Sequence, residues 1–196
     1  MRRLSNVKEI SPTIYFAAAT ALVTLGLLAW LVVRVWRRHR ASPSQVIKRI
    51  SADQLVDVLI PDGLDGEIHL DHALLTPTGI LVVDLLNADG AVFGGEQMDD
   101  WTVLSQQRRY TFRNPLGPML ARVHAVGRLA GQIPVTGRVV FVGEVEFRGG
   151  AIPGAVTLSE LEQEFGPADG DQARQATDAF HKLWERVSKA AQRYTA

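Results

Sequence analysis

Residues 67–87 constrain the fold of this 196-residue chain more than any other stretch. The run is Glu67-Ile-His-Leu-Asp71-His-Ala-Leu-Leu-Thr-Pro-Thr-Gly79-Ile-Leu-Val-Val-Asp84-Leu-Leu86-Asn87. Thr76-Pro77-Thr78-Gly79 is a turn signal, because proline fixes φ at a corner and glycine is free to take positive φ. The flanks Ala73 to Leu75 and Ile80 to Val83 are apolar and rich in branched residues, as in strands covered on both faces. A hairpin folded symmetrically about Pro77 and Thr78 pairs Thr76 with Gly79 and, counting outward, Asp71 with Asp84. Directly opposed side chains have their bases roughly 5 Å apart. Two carboxylates that close repel unless one is protonated or a cation lies between them. A hard divalent cation such as Mg²⁺ suits an all-oxygen pair, with water completing its shell. A bulge at Gly79 would shift the register by one and send the aspartates to opposite faces. Frayed strand ends would leave both simply solvated.

The remaining punctuation predicts one domain of mixed composition. Ala41-Ser-Pro-Ser44 reads as a short linker, with Ser44 capping a helix through Arg49. Asp53 to Ile60 fits helix or strand equally. Gly90 to Gly95 suggests a turn around a third short strand, and Trp101 to Leu104 with Arg109 to Phe112 a further hairpin. Asn114 caps a helix with Pro115 at its first position, running to about Gln132. On it, His124 has no second histidine or cysteine at ligand spacing. Arg138 to Val142 reads as a central strand. Thr157 introduces a helix from Leu158 to Phe165. Asp171 to Tyr194 is a long amphipathic helix, with Ala176, Phe180, Leu183, Trp184 and Val187 recurring at three and four.

Ile14 to Val33 is a run of twenty residues without a charge. As a helix it would be about 30 Å long, the thickness of a bilayer's hydrocarbon core. Tyr15, Trp30 and Trp36 fall near its ends, where interfacial aromatics belong. The run leads at once into Arg34, Arg37, Arg38 and Arg40, which argues for a retained anchor rather than a cleaved signal peptide. Arg2, Arg3 and Lys8 on the other flank make the charge bias modest. It favours a single-pass protein whose carboxyl-terminal domain is cytoplasmic. The absence of cysteine agrees with that side of a membrane.

Charge bears on nucleic acid as a partner. The chain has 21 basic and 21 acidic side chains, but residues 1–40 take seven of the basic ones and a single acid. Residues 41–196 are therefore acidic, which disfavours non-specific binding to phosphates. Arg108-Arg109-Tyr110-Thr-Phe112-Arg113 is a local exception, able to stack bases and meet phosphate. It reads preferentially as an edge strand whose charges discourage pairing. There is no internal repeat, P-loop, dinucleotide fingerprint or serine elbow.

The run from Glu67 through Asp71-His72, Pro77, Gly79, Asp84, Leu86-Asn87 and Gly90 resembles the signature of the NERD (nuclease-related domain) family. Trp101, Asn114-Pro115-Leu116, His124 and Val139-Val140-Phe141 extend the resemblance over roughly residues 45–150. It implies an α/β (α+β) fold like the PD-(D/E)xK restriction-endonuclease core, a mixed β-sheet flanked by helices. Carried over by position, Asp71 is the metal-binding aspartate and Asp84 the second acidic ligand, in place of glutamate. Leu86 occupies the lysine position, Pro118 stands near a family glutamine, and only Asp53 or Asp57 could match a glutamate of the first helix. A lysine there would orient or deprotonate the attacking water and stabilise charge on the phosphate. Leucine does neither.

The expected organisation is a short segment 1–13, a transmembrane helix 14–33 in the lipid bilayer, and a basic linker 34–44. A nuclease-related core 45–150 and a helical extension 151–196 packed on it follow. The expected function is a membrane-anchored binding or scaffold module with impaired catalysis. The alternative is an active Mg²⁺-dependent nuclease, with Asp71 and Asp84 as catalytic metal ligands and the metal itself activating water.

Overall fold

The computed structural model describes residues 42–193. The expected membrane helix 14–33 lies outside them, as do residues 1–13 and most of the linker. Among the described residues no helix is long and apolar enough to cross a membrane. From Pro43 onward the chain forms one compact unit.

Its elements in chain order are helix α1 (Pro43–Ile50), strands β1 (Asp53–Pro61), β2 (Glu67–Thr76), β3 (Gly79–Asn87), β4 (Gly90–Phe93), β5 (Asp100–Leu104) and β6 (Arg109–Arg113), helix α2 (Leu116–Ala130), strands β7 (Val135–Val142), β8 (Val145–Arg148) and β9 (Ala155–Thr157), helices α3 (Leu158–Phe165) and α4 (Asp171–Ala190), and strand β10 (Gln192–Arg193). They build a six-stranded sheet in the order β10-β1-β2-β3-β7-β9 and a four-stranded sheet in the order β6-β5-β4-β8. Both are mixed. In the larger, β3, β7 and β9 run parallel and the other pairings are antiparallel. In the smaller, β4 and β8 are parallel.

The expectation of one mixed sheet with flanking helices is thus corrected to two mixed sheets and four helices among the described residues. The reason lies where β3 and β7, a parallel pair, both overrun the larger sheet and continue as the parallel pair β4 and β8. At that bend the Asp89 carboxylate accepts the Glu144 amide at 2.8 Å. Gly143 takes φ +120° there, and a β-carbon would strike the Ala88 carbonyl. Only glycine fits such a crossing.

The central hairpin has the unshifted register, from Thr76↔Gly79 to His72↔Val83. Gly79 takes φ +132° without introducing a bulge. Residues 53–60, ambiguous from apolar spacing, are strand, because Val58 and Ile60 bury against β2 and the long apolar hairpin offers β1 a ladder broken at Asp57. The third strand, the β5–β6 hairpin, and the interior place of β7 follow the sequence reading.

Three helices differ in their ends. α1 already begins at Pro43, so Ser44 lies in its first turn instead of capping it. α2 begins at Leu116 and stops at Ala130, ended by Gly131 at φ +68°. α4 stops at Ala190, where Ala191 turns extended and the chain pairs with Val58 and Leu59 of β1. α3 starts as expected, with Thr157 and Glu160 forming a capping box.

Trp101 and Phe141 join the two sheets. The Trp101 ring is fully buried, stacked on Phe141 with centroids 6.2 Å apart and edge-on to Phe112 at the same distance. From α4, Trp184 and Val187 are buried in the same core, and Phe180 and Leu183 pack against it. Trp184 Nε1 donates to Asp53 Oδ2 at 2.8 Å, which ties the last helix to the first strand.

Asn114 organises the entry to α2. Its Oδ1 accepts the Leu116 amide at 2.9 Å, and its Nδ2 faces the carbonyls of Met98 at 2.8 Å, Glu96 at 3.2 Å and Gly95 at 3.3 Å. Asn114→Ala should therefore lower stability in urea unfolding by about 2 kcal/mol, a lost cap plus lost loop hydrogen bonds. Asn114→Asp keeps the acceptor and should recover only the cap's share.

Candidate functional site

Asp84 is the buried carboxylate at the centre of the larger sheet. It lies on β3, flanked by β2 on one side and Val139 of β7 on the other, and is 8% exposed. Asp71 lies on β2 one residue beyond the last ladder pair, His72↔Val83, and close enough for its charge to act on Asp84.

A third side chain reaches Asp84 from the helix. Arg122, on α2, places Nη1 3.1 Å from Asp84 Oδ2 and donates from Nε to the His69 carbonyl at 2.7 Å. The guanidinium thus bridges the backbone of β2 to the carboxylate of β3. Burial pushes the Asp84 carboxyl up to about 6; the Arg122 charge opposes that rise, the Asp71 charge adds to it, and His69 opposes it. At neutral pH Asp84 is an ionised, arginine-paired carboxylate. Its Oδ1 is buried and has no hydrogen-bond partner.

Asp71 is half-buried and has an imidazole neighbour. His69 lies two residues earlier on β2, so the two side chains share a face. Its Nδ1 is 3.4 Å from Asp71 Oδ1, while Nε2 is 2.7 Å from Asp57 Oδ1. Asp57 sits on β1 between the pairs Val56↔His72 and Val58↔Leu70. It takes φ +56°, the left-handed region, which is rare for a residue within a strand. His72 follows Asp71 on β2. Burial holds its imidazole below the ordinary value against the pull of the Asp71 charge, and its Nδ1 has no partner.

Of the residues singled out from sequence, Asp57, Asp71 and Asp84 are drawn together, while Asp53 is engaged by Trp184. Leu86, two residues past Asp84 and paired with Phe141, packs against the hydrophobic core. Pro118 and His124 are exposed on α2. In the Arg108–Arg113 segment, Phe112 is held against Trp101 and is not free to stack on a base, and the strand is an edge of the smaller sheet.

Arg122 and His69 were missed from sequence. For Arg122 the readable signal was its spacing, three residues after Met119 and three and four before Ala125 and Val126, on the buried face of the helix. For His69 it was the alternation of β2.

The implied Mg²⁺ can be tested against these side chains. Such an ion needs about six oxygens in near-octahedral geometry, and a cation already paired with one of its carboxylates competes for that ligand. Here a guanidinium already lies on Asp84, and Asp71 faces an imidazole. Among the described residues no three His, Asp or Glu side chains converge to hold a metal. As placed, the donor set does not fit the ion.

Fold and site together define a mixed α+β domain whose central carboxylate meets an arginine from the helix above it. The chain belongs to the nuclease-related domain (NERD) family, whose profile matches residues 44–142. No curated protein and no solved structure matches it.

Proposed function

We propose that this protein is a nuclease-related domain held at the cytoplasmic face of a membrane, where it binds or scaffolds a partner without cleaving nucleic acid. The observation that carries this reading is Leu86, an apolar side chain committed to the core at the position where the family resemblance calls for lysine. Among the described residues the lysines are Lys48, Lys182 and Lys189, all exposed on helices. Arg122 supplies charge but cannot serve as a base, because a guanidinium keeps its proton at any working pH. The acidic character of residues 41–196 also weighs against phosphate binding. The anchor rests on the apolar run 14–33, and the side of the membrane on Arg34, Arg37, Arg38 and Arg40.

One observation favours the alternative, an active Mg²⁺-dependent nuclease with a restriction-endonuclease-like core. Asp84 Oδ1 is a buried carboxylate oxygen without a partner, as a metal ligand would be when its metal is away.

Incubating the full chain with plasmid and single-stranded DNA and RNA in Mg²⁺ or Mn²⁺ decides between them. No cleavage above that of the Asp71→Ala and Asp84→Ala variants is expected. Cleavage by the native chain that both variants abolish would establish the nuclease. Leu86→Lys is expected to leave the chain inactive, since Arg122 still occupies the carboxylate.

A further inference from the structure

We infer that the Arg122 guanidinium has taken the place of a divalent cation, so that the charge of Asp84 is balanced from within the chain and metal is shut out. This rests on the non-cleaving reading above and gives it a physical cause. Arg122 is positioned for the part. Nη1 meets Asp84 Oδ2 at 3.1 Å, and Nε is anchored on the His69 carbonyl at 2.7 Å. Its side chain is 19% exposed and that of Asp84 12%.

A carboxylate buried in the middle of a sheet requires a positive partner, since leaving it unpaired is strongly destabilising. Around Asp84 the permanently charged cation is Arg122, while the Asp71 charge repels the carboxylate. An arginine brings one charge already tethered to the fold. A metal would bring two, but it would have to compete for Asp84 Oδ2 with the guanidinium already there, whose charge offsets part of its attraction to the carboxylates. The orphaned Asp84 Oδ1 is the oxygen that a metal would engage, and the guanidinium fork leaves it unmet. The residue that closes the site is thus distinct from Leu86. One removes the base, and the other removes the need for the ion.

The inference predicts that taking the charge off residue 122 uncovers a metal site. Full-length native chain, Arg122→Gln, Arg122→Ala and the double variant Asp84→Asn/Arg122→Gln would be titrated with Mn²⁺. Binding would be read by electron paramagnetic resonance and by the thermal midpoint. Arg122→Gln keeps a side chain of similar length that can still donate to the His69 carbonyl, so it covers the case in which the alanine variant fails to fold. The native chain should show no saturable Mn²⁺ binding. Arg122→Gln should bind at least tenfold more tightly than the native chain, with a midpoint that rises as Mn²⁺ is added, and the double variant should lose both effects. Saturable binding by the native chain that Asp84→Asn removes would overturn the inference, and so would an Arg122→Gln protein that folds and gains no affinity. In the latter case a native chain that also cleaves nothing leaves the functional reading standing. Native chain that binds Mn²⁺ and cleaves overturns both.

Discussion

Arg122→Met is expected to destabilise the folded domain by about 3–5 kcal/mol at pH 8, the cost of leaving a buried carboxylate without its partner. Methionine retains much of the apolar stem with which an arginine covers its neighbours, so the loss reports the charge rather than a cavity. Two features separate this from ordinary damage to the fold. At pH 5 Asp84, whose carboxyl is pushed up to about 6, takes a proton and no longer needs the guanidinium. The penalty should therefore shrink by more than half between pH 8 and pH 5. Adding Asp84→Asn to Arg122→Met should restore most of the stability at pH 8, because neither group is then charged. Urea unfolding of the four proteins at the two pH values gives the complete cycle. A penalty below about 1 kcal/mol at both pH values would mean that the pair is solvated like a surface salt bridge.

Asp84→Asn alone carries the second large effect, and its sign is opposite to that of most paired aspartates. An Asp in the unfolded chain titrates near 3.8, whereas burial raises the folded value to about 6. Between those values the folded state binds the proton more readily than the unfolded state. The contribution of Asp84 to stability is therefore fully present below pH 4 and is lost as pH rises through 6. A shift of about two units corresponds to about 3 kcal/mol. The stability of the native chain relative to Asp84→Asn should fall by about that amount between pH 4 and pH 7, then level off. His72 runs the other way. Its folded value is lowered, so its contribution is present above the ordinary histidine value and lost as pH falls. Because His72 is common to both proteins, the difference between their unfolding curves isolates Asp84. A flat difference across pH 4–7 would mean that Asp84 is hydrated in solution.

The elements that sequence predicted well are those whose signals are local. The turn Pro77-Thr78 and the run of branched residues on either side fix the hairpin register, which needed no tertiary information. Thr157 with Glu160 three residues later is likewise a self-contained helix start. The second sheet was not legible, because it follows from β3 and β7 continuing side by side into β4 and β8, a pairing between residues far apart in sequence. β10 was hidden for a similar reason. Gln192 and Arg193 continue a helical pattern, and only the open edge of β1 pulls them into a strand.

The site divides along the same line. Asp71 and Asp84 could be paired by counting outward from a turn. Arg122 comes from a helix 38 positions after Asp84, and nothing local says that its fork reaches the sheet. Asp57 illustrates a subtler limit. Position alone allowed it as a candidate, but its place beside His69 depends on a left-handed φ within a strand that no propensity would have selected.

The most direct test of a guanidinium in the place of a metal is an anomalous-scattering measurement on crystals of the native protein soaked in Mn²⁺. The expected map shows no anomalous density between Asp71 and Asp84, with Arg122 Nη1 within hydrogen-bonding distance of Asp84 Oδ2. A Mn²⁺ peak bridging the two carboxylates, with Arg122 swung away, would contradict it and restore the site to the metal.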